Sequence, residues 1–120
     1  MYSRDNWLYI QTNCLSLHTL KAVKYINRNL NKKIKLCDLA EHTGVTPNYL
    51  SALFKKETGT NISDYIKEQK LNEAKRLLKE TDLSLAAIAD NLAYSSQSYF
   101  QNQFKSYFKK TPVDFKNKQA

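Results

Sequence analysis

The feature that most constrains the fold of this 120-residue chain is a pattern that occurs twice, fifty residues apart. Segment 49–55 begins with a tyrosine and an apolar residue and ends in Phe-Lys, and segment 99–105 does the same. Upstream, Gly44 corresponds to Ala93 at an offset of forty-nine, so the second copy has one extra residue in its turn. The repeat predicts one helix-turn-helix unit built twice, which is typical of a chain that holds two similar recognition surfaces.

The composition favours an all-helical fold of about seven helices. Gly and Pro occur only twice each, and there is little β-branched alternation. The length fits one domain or two very small lobes. We expect a linker or N-terminal extension at 1–15, a first helix-turn-helix lobe at 16–60, a bridging helix at 61–80 and a second lobe at 81–120.

Cap residues mark the starts of the two helices that we expect to carry recognition. Thr46 is a favourable cap, and Pro47 suits the first helical position, so a helix is predicted over about 46–57. Ser95 or Ser96 caps the corresponding helix, predicted over about 96–108. Each of these helices is preceded by a short helix and a turn. Gly44 is expected to end the first of these short helices in a left-handed conformation, and Gly59 is expected just beyond the end of the helix at 46–57.

The apolar residues of the predicted bridging helix change direction along its length. Ile62, Tyr65 and Ile66 point one way, whereas the apolar residues of 71–78 centre about 120° further round, at about 100° per residue. This drift predicts a helix that joins two small cores. A wide apolar stripe within one core is the alternative.

The charge of the chain favours a polyanionic partner. Nineteen Lys and Arg against eleven Asp and Glu give a net charge of +8 and a pI near 9.5. Three of the nineteen basic residues are arginines, and the others are lysines. Lysine suits phosphate neutralisation better than the bidentate hydrogen bonding with which arginine recognises a base. Solubility alone is the other explanation for the excess of lysine.

Both candidate recognition helices have one apolar side and one polar side without acidic residues. Small or amide side chains followed by a lysine make up each polar side, and the major groove admits a helix of this kind. The alternative is that each polar side is simply the solvent-exposed face of an amphipathic helix, although such faces usually contain both Glu and Lys. Leu50, Leu53 and Phe54 cluster on the apolar side of the first copy, and Phe100, Phe104 and Tyr107 cluster on the matching side of the second.

Framework residues at characteristic spacing run through residues 18–116: Leu39-Ala40, Gly44, Tyr49-Leu50, Leu53-Phe54-Lys55, Gly59, Tyr65, Ala74, Leu77-Leu78, Ile88-Ala89, Ser98-Tyr99-Phe100, Phe104-Lys105 and Thr111-Pro112. This pattern resembles the DNA-binding module of the AraC/XylS family. The resemblance implies two helix-turn-helix lobes joined by a long helix. It also implies a transcription regulator, most often an activator, that lays its two recognition helices in successive major grooves of double-stranded DNA.

The resemblance also implies which residues read bases: Asn48, Ser51 and Ala52 in the first unit, and Gln97, Ser98, Gln101 and Asn102 in the second. The family often has arginine where this chain has Ala52, so a strong guanine reader is missing there. Alanine can still contact a thymine methyl group. The residues expected to neutralise phosphates are Lys55, Lys56, Lys105, Lys109 and Lys110.

The chain departs from the family pattern at several framework positions. Ala93 stands in place of the customary turn glycine, and Lys109 replaces a glycine before the Thr-Pro pair. Lys70 replaces an arginine. The replacement keeps the positive charge but loses the planar guanidinium group and its bidentate hydrogen bonding.

The two recognition helices are predicted to differ in how strongly they discriminate between bases. Because amides pair with adenine, the second helix is expected to prefer adenine and to supply most of the discrimination on an A·T-rich target. A bridging helix of about nineteen residues spans roughly 28 Å. One DNA turn is about 34–36 Å, so the spacing suits adjacent grooves.

Other functions find less support in the residues. His18 and His42 lack acid or thiol partners at catalytic spacing, and no Gly-rich phosphate loop occurs, so no enzyme, cofactor or metal site is expected. Cys37 is predicted to be a small packing residue in its helix. No membrane span or signal peptide is visible, so we expect a cytoplasmic protein.

RNA polymerase is a candidate partner besides double-stranded DNA, and an effector ligand would require a domain separate from this chain. The alternative function is a helical protein-interaction adaptor that uses Tyr94, Tyr99, Tyr107 and Phe108.

Overall fold

The computed structural model describes residues 15–119, with side chains described as far as residue 116. Seven helices and no strand occur within this range, which confirms the all-helical prediction. In chain order they are α1 (Leu17–Arg28), α2 (Leu36–Thr43), α3 (Pro47–Thr58), α4 (Ile62–Glu80), α5 (Leu85–Asn91), α6 (Gln97–Phe108) and α7 (Pro112–Gln119).

The described chain divides into two compact units. The N-terminal unit comprises the residues up to Arg28 together with Ile34–Ile66, and the C-terminal unit comprises Asn29–Lys33 together with the residues from Lys67 onward. Helix α4 therefore contributes its first residues to one unit and the remainder to the other.

Helices α1 to α3 and the start of α4 bury the core of the N-terminal unit. Ile26, Leu39 and Leu50 are fully buried there. The rings of Phe54 and Tyr65 meet edge to face, with centroids 5.3 Å apart. Aromatic packing of this kind attaches α3 to the first turn of α4.

A single carboxylate joins α3 to the beginning of α1. Oε1 of Glu57 accepts hydrogen bonds from the backbone N–H of Ser16 at 2.9 Å and from its hydroxyl at 3.0 Å. Burial raises the pKa of the Glu57 carboxyl, but hydrogen bonds from Thr19 and Ser16 outweigh this effect and lower the pKa overall. The carboxylate thus caps α1 from a neighbouring helix.

Aromatic rings fill the core of the C-terminal unit. Phe104 contacts Phe100, Phe108 and Phe115, with centroid distances of 5.9, 4.6 and 6.1 Å. The ammonium of Lys75 lies 5.4 Å from the centre of the Phe108 ring. These contacts hold α6 against the later part of α4 and against α7.

Lys70 is a buried cation at the centre of the C-terminal unit. Its side chain lies on α4 and the residue is only 8% exposed. The Nζ atom donates to the carbonyl oxygens of Leu30 at 3.0 Å, Lys32 at 2.9 Å and Leu92. Burial lowers the pKa of the ammonium to about 8. One side chain therefore holds the loop after α1 and the end of α5 against α4.

The prediction that Cys37 is a packing residue was wrong. Cys37 is exposed, because it lies on the outer side of the short helix α2, whose buried residues are Leu39, Ala40 and Thr43. Tyr107 is 42% exposed, although it shares the apolar side of α6 with the buried Phe100 and Phe104. Its hydroxyl interacts with Glu68 of α4, so a polar contact keeps this ring at the surface.

Candidate nucleic-acid interface

The first candidate recognition helix, α3, has a well-defined start and stop. The hydroxyl of Thr46 accepts from the backbone N–H of Tyr49 at 3.2 Å, and Pro47 occupies the first helical position. Gly59 ends the helix with a left-handed φ of 81°. The predicted cap and stop are confirmed, and the helix runs one residue further than predicted, to Thr58.

The second candidate recognition helix, α6, repeats this arrangement. The hydroxyl of Ser96 accepts from the backbone N–H of Tyr99 at 3.1 Å, which decides between the two serines considered as caps. Lys109 ends the helix with a left-handed φ of 64°. The cap Ser96 and the stop Lys109 each follow their counterparts, Thr46 and Gly59, by fifty residues. The repeat is therefore present in the backbone conformation as well as in the sequence.

The turns before the two helices are equivalent, apart from one residue. Gly44 and Ala93 are both left-handed, with φ values of 80° and 59°. The residue after each of them donates its N–H to the helix before the turn: Val45 to Ala40 O at 3.2 Å, and Tyr94 to Ala89 O at 2.9 Å. The next residue is the cap in the first turn, whereas Ser95 intervenes in the second. The extra residue predicted from the sequence therefore lies after the left-handed residue.

The predicted base-reading residues lie on the outer sides of α3 and α6. Ser51 and Gln101 are partly exposed and occupy equivalent positions of the two helices. The remaining predicted readers are exposed: Asn48, Ala52, Gln97, Ser98 and Asn102. We call these two sets, each completed by the lysine that follows it (Lys55 or Lys105), the N-terminal and C-terminal reading faces.

Acidic groups are absent from both reading faces. Helix α6 contains no Asp or Glu, and Glu57 is the only acid in α3. Glu57 is directed towards Ser16 of α1, away from the reading face. The faces are therefore suited to approach a polyanion without repulsion.

The predicted phosphate-contacting lysines are all exposed: Lys55, Lys56, Lys105, Lys109 and Lys110. Lys55 and Lys56 lie in the last turn of α3, and Lys105 lies near the end of α6. Within residues 15–116, no ion pair between side chains involves Lys55 or Lys105. Both ammonium groups are available to a phosphate.

The structural roles of Lys70 and Glu57 were not predicted from the sequence. Lys70 stands at a position where the family pattern has arginine, and Glu57 lies at the predicted end of a helix. A lysine among the apolar residues of α4 was the available signal for Lys70, whereas the Glu57–Ser16 contact spans forty-one residues and leaves no local pattern.

The described part of the chain has no group of three or more His, Cys, Asp and Glu side chains placed to hold a metal ion. None of the helices between residues 15 and 119 has the length and apolar character needed to cross a membrane.

Comparison with known proteins agrees with this geometry. The family described as a helix-turn-helix domain matches residues 39–118. Over 96 residues, the chain is 36% identical to the regulatory protein PocR of Salmonella typhimurium, a match that covers 80% of this chain and 32% of PocR. A solved transcriptional regulator of Chromobacterium violaceum, described as AraC-type, is 30% identical with a TM-score of 0.81, over 86% of this chain and 92% of that one.

The fold and the comparisons define a protein with two helix-turn-helix units. The chain belongs to the AraC-type helix-turn-helix family. It shares its fold with the DNA-binding domain of AdpA, solved in complex with a target DNA, at 19% identity and a TM-score of 0.80 over 85% of this chain and 92% of that one. The chain spans 32%, 29% and 25% of the lengths of PocR and two further curated relatives.

Proposed function

We propose that this chain binds double-stranded DNA and regulates transcription, with α3 and α6 entering successive major grooves. The observation that carries the proposal is the pair of acid-free reading faces on two helices with equivalent caps and stops. Amides and small hydroxyl side chains on such helices match base edges, and lysines match the phosphates beside them. The fold is that of the AdpA domain, whose solved structure contains DNA.

The proposed target is A·T-rich and not palindromic. The C-terminal reading face carries three amide side chains, Gln97, Gln101 and Asn102, which pair well with adenine. The N-terminal reading face has one amide, Asn48, beside Ser51 and Ala52. We therefore assign most of the base discrimination to the half-site that α6 reads.

We further propose that the protein acts in the cytoplasm as an activator that contacts RNA polymerase. In this proposal the chain is not an enzyme and takes no cofactor, and an effector acts through a domain outside it. The named relatives PocR and the xylose operon regulatory protein are regulators by description.

The test is direct binding of the purified chain to fluorescent duplexes, followed by anisotropy between 50 and 200 mM salt, roughly the range over which phosphate contacts weaken strongly. We expect binding whose logarithmic slope against salt is about −0.9 for each phosphate contacted. Absence of binding at the lowest salt, with the helical fold intact by circular dichroism, would contradict the proposal and favour a protein-interaction role.

Two kinds of variant separate phosphate contacts from base contacts. Lys55→Gln and Lys105→Gln should each weaken binding to every duplex and reduce the salt slope by about one unit. Asn102→Ala should instead leave the slope unchanged and reduce the preference for the best site by about 1–3 kcal/mol. Both classes should retain the wild-type melting temperature, because the altered side chains are exposed.

A further inference from the structure

The two recognition helices share an exposed aromatic residue that base reading leaves unused. Tyr49 in α3 and Tyr99 in α6 are related by the fifty-residue repeat, and they are 53% and 50% exposed. The backbone N–H of each tyrosine donates to the hydroxyl that caps its helix. Each tyrosine therefore lies in the first turn of its helix, at the same distance along the helix axis from the cap residue.

The direction of these rings differs from that of the base-reading side chains. With 3.6 residues per turn, Asn48, Ser51, Ala52 and Lys55 centre on one direction, and Tyr49 lies about 110° away from it. Tyr99 lies about 125° from the centre of the C-terminal reading face, which also includes Gln97. For a helix inserted in a groove about 12 Å wide, a side chain turned this far from the bases meets the wall of the groove, which is sugar and phosphate.

Each tyrosine is also held by one aromatic ring from elsewhere in its own unit. His18 of α1 meets Tyr49 edge to face at 6.3 Å, and Tyr94 of the turn lies 6.1 Å from Tyr99. Within the described residues, His18 Nδ1 and Tyr94 Oη are buried without a hydrogen-bond partner. A buried polar atom without a hydrogen-bond partner lowers the free energy of unfolding. The positions of the His18 and Tyr94 rings are therefore not the ones that stability alone would favour.

We propose that Tyr49 and Tyr99 are matching phosphate contacts, one in each unit, whose hydroxyl groups donate to the DNA backbone at the edge of each half-site. The inference rests on the proposed DNA binding and extends it to residues outside the reading faces. A neutral hydroxyl adds a directional hydrogen bond without releasing a counterion, so it positions the helix without steepening the salt dependence.

Tyr49→Phe and Tyr99→Phe test this directly, because each removes one hydroxyl and keeps the ring. Each variant should bind every duplex about three- to tenfold more weakly, which corresponds to one neutral hydrogen bond. Salt slope, base preference and melting temperature should all match the wild-type protein. Tyr107→Phe is the matched control on the same helix: its hydroxyl interacts with Glu68, and its binding should be unchanged.

Duplexes with single methylphosphonate linkages then locate the contacts. Wild-type binding should be sensitive to one such linkage in each half-site. Tyr49→Phe should remove the sensitivity in one half only, and Tyr99→Phe in the other. Wild-type affinity in both tyrosine variants would overturn this inference and leave the proposed DNA binding intact. Failure of the wild-type protein to bind any duplex would overturn both.

Discussion

The buried ammonium of Lys70 allows the stability of the C-terminal unit to be tested with a single substitution. Lys70→Met keeps a long apolar stem but removes the charge and all three donors. The carbonyl groups of Leu30, Lys32 and Leu92 then lose this partner, and the bonds to Leu30 and Leu92 are buried.

The magnitude follows from these contacts. A hydrogen bond to a charged group contributes about 1.5–3 kcal/mol, and a buried acceptor left without a partner costs about 1–3 kcal/mol. Methionine avoids the desolvation of an ammonium, which offsets part of the loss. We therefore expect the free energy of unfolding to fall by about 2–4 kcal/mol.

Urea denaturation followed by circular dichroism at neutral pH measures this change. Lys67→Met is the matched control, because Lys67 is an exposed lysine one turn earlier on α4, and its substitution should stay within about 0.5 kcal/mol of wild type. If Lys70→Met is no less stable than this control, the three carbonyl contacts do not hold the unit together.

The pH dependence adds an independent check. Because burial lowers the folded-state pKa of Lys70 to about 8, below its ordinary value of 10.5, folding disfavours the ammonium form. The resulting destabilisation is complete below pH 8 and is relieved as pH rises towards 10.5. Wild-type protein should therefore gain stability relative to Lys70→Met between these values. A constant difference would contradict the lowered pKa.

Three further predictions concern the stops of α6 and α3 and the cap of α1. Lys109→Gly should stabilise the chain by about 0.5–1 kcal/mol, because glycine adopts a left-handed φ without strain, and Gly59→Ala should destabilise it by about 1 kcal/mol. Glu57→Gln should lower stability by about 1 kcal/mol at pH 7. Because the folded-state pKa of Glu57 is lowered, this difference should begin to shrink as pH falls below the ordinary value of 4.5 and should vanish below the lowered pKa.

Thermal and urea denaturation measure these effects. If the free energy of unfolding of Lys109→Gly does not exceed that of the wild type, the lysine side chain makes contacts that offset its strained backbone. A Glu57→Gln deficit as large at pH 3, roughly a unit and a half below the ordinary pKa of glutamate, as at pH 7 would show that the neutral amide fails for steric reasons and not through lost charge.

The helices and their ends were predictable because their causes are local. Thr46 with Pro47 and the glycines at 44 and 59 determine where helices begin and end, and the structure has them as predicted. The second unit shows the limit of this reasoning. Ala93 and Lys109 adopt the left-handed conformation without being glycine, which no local preference predicts. Their equivalence to glycines follows from the repeat and from the family pattern.

Side-chain positions that depend on distant partners were not predictable. Helical periodicity groups Tyr107 with Phe100 and Phe104, but only the two phenylalanines are buried, because periodicity does not register the contact between Tyr107 and Glu68 across thirty-nine residues. Cys37 was misplaced because a helix of eight residues has few buried positions. For the interface, the sequence predicted the polar composition of both reading faces, and the structure adds their exposure and matched caps.

Selection of bound sites from a random duplex library tests the central proposal most directly. We expect an A·T-rich, non-palindromic site with two half-sites about one helical turn apart, in which one half is far better defined. Gln101→Ala with Asn102→Ala should make that half degenerate, whereas Ser51→Ala should leave it unchanged. Recovery of no enriched sequence, or of a G·C-rich site that these substitutions do not alter, would contradict the account.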